Sequence, residues 1–217
     1  MKKNILTTLA ALALLSCAQP DEDRFTAHEL ALIHDADSTM RVLTIEDSTD
    51  MAVLRASSRV LSPEMLLSDE FRQLSRLMVS TVTHPSQDGV GIAGPQVGLN
   101  RRVVAVQRFD KEPVLRKDRL EHPFEVYPNI SIVWASDSMA TGSEGCLSVP
   151  DRRGDVPRSQ EIVIEYALIS QADSSRNCRS DDRITMVRDT VSGFTAVIFQ
   201  HEIDHLDGIL YTDRIKP

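Results

Sequence analysis

GFTAVIFQHEIDHLDG, residues 193–208, reads as one helix with chemistry on one face. Ser192 stands before it in an N-cap place, apolar residues fill its first turns, and Gly208 follows as a natural terminator. Within it HEIDH, 201–205, has the form H-E-x-x-H. At about 3.6 residues per turn, His201 and His205 share a face and can grip one metal ion, while Glu202 is turned aside toward a water held there.

The third ligand decides the class of such a site. A further histidine six residues after His205 would give one family of metalloproteases, but position 211 is Tyr211. A glutamate on a later helix would give another, but LDGILYTDRIKP after His205 is too short for that helix. The third ligand must come from upstream: a cysteine, a carboxylate, or one of His28, His34, His84 and His122.

Outward from the helix, the chain groups its strands. RRVVAVQRF (101–109), FEVYPNISIVW (124–134) and EIVIEYALIS (161–170) read as strands, and ITMVRDTV (184–191) returns along the last of them after the polar excursion 171–183, giving a long hairpin. Nearer the start, AHELALIH (27–34) reads as a short helix and MRVLTI (40–45) as a strand. Ser68 caps a helix whose Phe71, Leu74, Met78 and Val82 share a face and which ends before Pro85. Strands gathered around one long C-terminal helix predict an α+β fold with antiparallel sheets.

GVGIAG, 89–94, has the G-x-G-x-x-G spacing of a dinucleotide loop, but a helix precedes it and a strand follows, the reverse of what a pyrophosphate site needs. No nucleotide is expected there. The glycines predict a backbone that approaches something closely, with Gln96 just beyond.

GVGIAGPQVG, EGCLSVP (144–150) and QHEIDHLDG stand in the order and character of the three motifs of peptide deformylases, and the sequence resembles that family from about Met40 to Ile215. MRVLTI followed by LRASSRV is similar to the family's N-terminal segment. The resemblance implies that Cys146, His201 and His205 hold one divalent metal, Fe(II) being the family's usual ion and Zn(II) or Ni(II) also accepted. It implies that Glu202 moves the proton, that Gln96 and the backbone N–H of Leu147 meet the oxyanion, and that Gly91 meets the peptide. Val197 and Ile198 would line the methionine pocket, and the substrate would be an N-formylated peptide that releases formate. The alternatives from other classes are an envelope metalloamidase or peptidase for other N-acyl peptides, and a lipoprotein that binds peptide without turnover.

The sequence departs from its relatives in three ways. Gly94 stands where the family usually has alanine, which is expected to loosen the loop that presents Gln96. The interval from Cys146 to His201 is longer than usual, with the excess in 171–183. The third departure is the N-terminus. MKKNILTTLAALALLSC, with two lysines before an apolar run, reads as a secretory signal over 1–16, and LLSC resembles a lipobox that would attach lipid at Cys17. Residues 17–39 would then be lipid-bearing tether and short helix, 40–217 the catalytic domain, and the location the bacterial envelope outside the cytoplasm, anchored to a membrane. The formal charge of −8 argues against nucleic acid as a partner. Two further thiols in an exported chain raise the question of a disulfide between Cys146 and Cys178. Cys146 lies inside a ligand motif, so Cys178 is expected as a free surface thiol.

Overall fold

The computed structural model describes residues 23–87, 89–116, 119–170 and 183–215. The signal segment, Cys17 and Cys178 lie outside the described residues. The helices are α1 (Ala27–His34), α2 (Ser48–Leu54), α3 (Pro63–Leu66), α4 (Asp69–Val82) and α5 (Gly193–Leu206). The strands are β1 (Gly91–Ala93), β2 (Val103–Gln107), β3 (Val114–Arg116), β4 (Arg119–Glu121), β5 (Phe124–Pro128), β6 (Ser131–Ala135), β7 (Met139–Cys146), β8 (Val149–Ser159), β9 (Glu161–Ser170) and β10 (Arg183–Ser192). They form sheets in the orders β1-β2-β5 and β10-β9-β6 and the pairs β3-β4 and β7-β8, and every strand pair is antiparallel. The α+β architecture is as expected.

The sheet β1-β2-β5 is buried on both faces. Ile92, Val103 and Ala105 pack with Leu74 and Met78 of α4, while Ala93, Val104, Val106 and Tyr127 pack with Ile198, Phe199 and Ile203 of α5. Successive residues of a strand point to opposite faces, so an unbroken VVAV run is what a strand between two helices requires. α5 is therefore held along its length by a rigid sheet, and the His201–His205 face looks away from it toward β7 and β8.

Ser68 caps α4 as expected, its hydroxyl accepting from the Phe71 amide at 3.1 Å. The long hairpin is also present, with Ser170 opposite Arg183 and Glu161 opposite Ser192. Gly208 ends α5 at a φ of 72°.

Four local expectations are corrected. MRVLTI is extended but is no strand. Met40 donates to Thr81 Oγ1, Leu43 to the carbonyl of Gln96 and Ile45 to that of Ser148, so successive amides lace three different elements instead of one ladder. FEVYPNISIVW is two strands in two sheets. Asn129 takes a φ of 54° between them, and its side-chain amide bonds both the N–H and the carbonyl of Leu61, which fixes the corner. Ser192 belongs to β10 and its hydroxyl makes no capping bond; the Gly193 amide bonds the carbonyl of Gln160 instead. Finally, the stretch expected as tether is already bound to the fold near its helix: Phe25 is buried, Ser62 Oγ donates to the carbonyl of Asp23 at 2.6 Å, and α1 is closed by a Thr26/Glu29 capping box.

Candidate active site

β7 delivers Cys146 at its end, α5 delivers His201 and His205, and the three ligand atoms lie within 4.8 Å of one another. Cys146 Sγ is 3.2 Å from His205 Nε2. His201 turns Nδ1 to Glu144 Oε2 at 2.8 Å, which leaves Nε2 for the centre of the group. One thiolate and two imidazoles suit a four-coordinate divalent ion with one place left for water.

The charges around this group favour the same reading. Burial opposes a charge on His201, yet bonding to Cys146 and Glu144, with Glu202 close by, raises its pKa to about 10. The pocket asks for positive charge where a cation would sit. Burial, helped by the charge of His201, pushes His205 well below its ordinary value, which keeps its ring neutral and its lone pair free to ligate.

Glu202 is buried at the base of the site, and its Oε2 has no hydrogen-bond partner among the described residues. Burial pushes its carboxyl up to about 7, with Glu144 adding to the rise and His201 and Arg158 opposing it. A buried carboxylate oxygen without a partner is costly, so its persistence here points to chemistry. Gly91 makes room for it: a Cβ on Gly91 would lie 2.8 Å from Glu202 Cδ. Gln96 is aimed by both ends of its amide. Its Oε1 accepts from the Ala93 N–H at 2.8 Å, which turns Nε2 toward Cys146 Sγ at 3.5 Å and Ser148 Oγ at 3.2 Å.

A cleft of about 840 Å³ opens over this centre; Gly91, Gln96, Leu147, Val197 and Ile198 all line it with Cys146, His201 and Glu202. Of the site residues expected from sequence these line one cavity, while His205 does not line it and meets Cys146 Sγ. The other histidines weighed as ligands, His28, His34, His84 and His122, are outside the metal-ligating group.

Gly94 corrects an expectation. A Cβ there would meet the carbonyls of Leu99 and Arg101, each at 2.7 Å, so the residue lets a tight turn close on itself and does not slacken it.

The charged chain behind the ligands was not anticipated. Arg158 is buried and grips Glu144 through Nε and Nη2 at 2.7 and 2.9 Å, while its Nη1 bonds Asp204 at 2.6 Å, and Arg214 closes on the same aspartate. Burial alone would raise the Glu144 carboxyl, but Arg158 and His201 hold it at about 2. Glu144 thus stays ionised and fixes the ring of His201. A signal for it was present, because Glu144 lies two residues before Cys146 on β7, hence on the same face.

The comparisons agree with this geometry. Residues 40–217 match the family model described as polypeptide deformylase. The chain belongs to the polypeptide deformylase family. It is 37% identical over 164 residues to peptide deformylase 2 of Gloeobacter violaceus, covering 76% of this chain and 74% of that one. A class I type b peptide deformylase of Acinetobacter baumannii, in its Met-Ala-Ser-bound crystal structure, has 33% identity and a TM-score of 0.64 over 82% of this chain and 98% of its own. The deformylase of Thermotoga maritima aligns with a TM-score of 0.63 at 26% identity, over 83% of this chain and all of its own. The deformylase described here is a metal-dependent enzyme that hydrolyses the N-terminal formyl group of N-formylmethionyl peptides.

Proposed function

We propose that the residues of this deformylase divide the hydrolysis as follows. Cys146, His201 and His205 hold the ion, which when bound supplies Lewis acidity and lowers the pKa of water. Glu202 takes a proton from the attacking water and later gives one to the amine as the C–N bond breaks, leaving formate and a free N-terminus. Gln96 Nε2 and the Leu147 N–H receive the oxyanion that forms on the formyl oxygen. Val197 and Ile198 hold the methionine side chain, and Gly91 admits the peptide beside Glu202. The observation that carries this division is the buried Glu202 carboxylate, its Oε2 without a partner among the described residues, beside three convergent ligand atoms.

Fe(II) is the proposed native ion, since a thiolate with two imidazoles is a donor set this metal accepts. Formate release from formyl-Met-Ala-Ser by anaerobically purified chain, with metal content measured on the same sample, tests both points. Activity that tracks iron supports the assignment; full activity in iron-free, zinc-loaded protein would overturn the choice of ion.

We further propose that residues 1–16 direct export and that Cys17 carries lipid, so the enzyme works on formylated peptides in the envelope. Labelled palmitate should enter the full-length chain and not its Cys17→Ser variant. Equal labelling of the two, or none in either, overturns the anchor.

A further inference from the structure

β8 carries two consecutive arginines, Arg152 and Arg153, and both line the cleft. Neighbours on a regular strand point to opposite faces, so the backbone must be arranged to bring both to one side. Gly145 pairs with Arg153 but the next residue, Cys146, pairs with Val149, so residues 150–152 bulge out of the ladder. Asp151, inside the bulge, takes a φ of 56°, which a non-glycine residue holds only where its surroundings impose it. Bulges beside active sites re-aim side chains.

This bulge is tied to the ligand helix. Tyr211 is buried, donates its hydroxyl to the carbonyl of Arg152 at 2.8 Å, and stacks on His201 with ring centres 6.0 Å apart. Arg153 gives Nε and Nη2 to the hydroxyl and carbonyl of Ser143, each at 3.3 Å. Its Nη1 lies over Gly145, 3.3 Å from where a Cβ would stand and one residue from Cys146. Arg152 is exposed, and its guanidinium has no hydrogen bond or ion pair among the described residues. The third arginine of the cleft, Arg158, is occupied by Glu144 and Asp204. Phe194, Val197 and Ile198, which line the same cleft, offer no cation. Asp151 is the one acidic group of the bulge itself that lines the cleft, so the pair leaves net positive charge there in a chain of formal charge −8.

We propose that Arg152 and Arg153 bind a carboxylate of the substrate beyond its methionine, so that this deformylase prefers short N-formyl peptides bearing negative charge in the residues that follow. The inference rests on the deformylase reading. Guanidinium groups match carboxylates with paired, charge-assisted hydrogen bonds. The carboxylate has two possible sources. It is the free C-terminus of a short peptide, which a growing chain does not present near its formylmethionine, or an acidic side chain.

The test compares kcat/KM at low ionic strength for formyl-Met-Ala-Ser with a free carboxylate, the same peptide as its C-terminal amide, and formyl-Met-Ala-Glu amide. At least one charged peptide should exceed the neutral amide by about tenfold, and that ratio should fall toward one in the Arg152→Gln/Arg153→Gln variant. Arg152→Gln alone, which removes no contact within the fold, should lower the ratio part of the way. A preference for the free acid alone assigns the terminal carboxylate, for the glutamyl amide alone the side chain; either supports the site. Charged peptides no faster than the neutral one, or a preference that survives the double substitution, would overturn it. If no peptide releases formate, the deformylase reading fails, and calorimetric binding of the three peptides then decides this one: equal affinities overturn it, and tighter binding of a charged peptide supports it.

Discussion

Two of the buried arginines each close on a glutamate with two hydrogen bonds: Arg158 on Glu144, and Arg101 on Glu29. By burial and geometry they are nearly alike. They differ in what the glutamate does with its remaining capacity. Glu144 accepts from His201 Nδ1, whereas Glu29 accepts from the amide of Thr26 and closes the first turn of α1. One pair orients a metal ligand; the other fastens a helix that precedes the family match at residue 40. Burial of charge is therefore not a mark of function here. The third partner of the carboxylate is.

The strongest test of the functional region lies at its centre. Glu202→Gln keeps the shape of the side chain and removes its proton transfer, so kcat for formate release should fall by about 10² to 10⁴ while metal content stays level. Activity within a factor of a few of the parent would mean that another group moves the proton.

Breaking the Arg158 pair comes next. Arg158→Met leaves Glu144 and Asp204 buried with reduced compensation, and should cost about 3–5 kcal/mol in thermal or denaturant unfolding. Glu144→Gln should act differently, weakening metal affinity by about 10- to 100-fold, read by competition with a chelator. If its effect fell on stability with metal affinity intact, the two arginine pairs would be the same kind of device after all.

Breaking the other pair should touch stability alone. Glu29→Gln leaves Arg101 buried without its counter-charge and should cost about 2–3 kcal/mol, less than at Arg158 because Glu29 is closer to solvent. Formate release per folded molecule should not change. The pH dependence follows with a definite sign. Burial alone would raise the Glu29 carboxyl, but bonds from Arg101 and Thr26 and the arginine's charge bring it below its ordinary value. A lowered carboxylate adds stability above the unfolded value of about 4.3, and that stability is lost as pH falls through the folded value. Unfolding free energy of the parent should thus drop across the acid limb more steeply than that of Glu29→Gln. Superimposable acid limbs would show the pair to be energetically silent.

These regions were unequally legible in the sequence. The i, i+4 spacing of His201 and His205 is local physics, and the helix that carries it formed as expected. Cys146 could be reached by elimination only as one candidate among several, and the motif resemblance singled it out. Arg158, Asp204 and Arg214 left no trace, because what joins them is the packing of β8 against α5 and its following turn, 46 residues apart for Arg158 and Asp204. MRVLTI misled for a related reason. Its apolar residues alternate loosely, but the buried ones, Met40 and Leu43, stand three apart, and its amides bond different neighbours where a strand would bond one. Periodicity reports which side chains are covered, not what covers them.

The smallest effect tests that limit at one atom. From sequence alone, Gly94 looks like slack, and Gly94→Ala should then stabilise by about 0.4–1 kcal/mol through loss of unfolded-state freedom. With the carbonyls of Leu99 and Arg101 each 2.7 Å from the added methyl, the expectation reverses to a loss of about 1–3 kcal/mol. Both contacts are backbone, so neither can swing away as a side-chain tip would. The turn that yields is the one holding Gln96, whose Nε2 lies 3.5 Å from Cys146 Sγ, so a displaced turn should lower kcat more than it raises KM. A stabilised variant with unchanged kcat would return Gly94 to the role of a chance departure from its relatives.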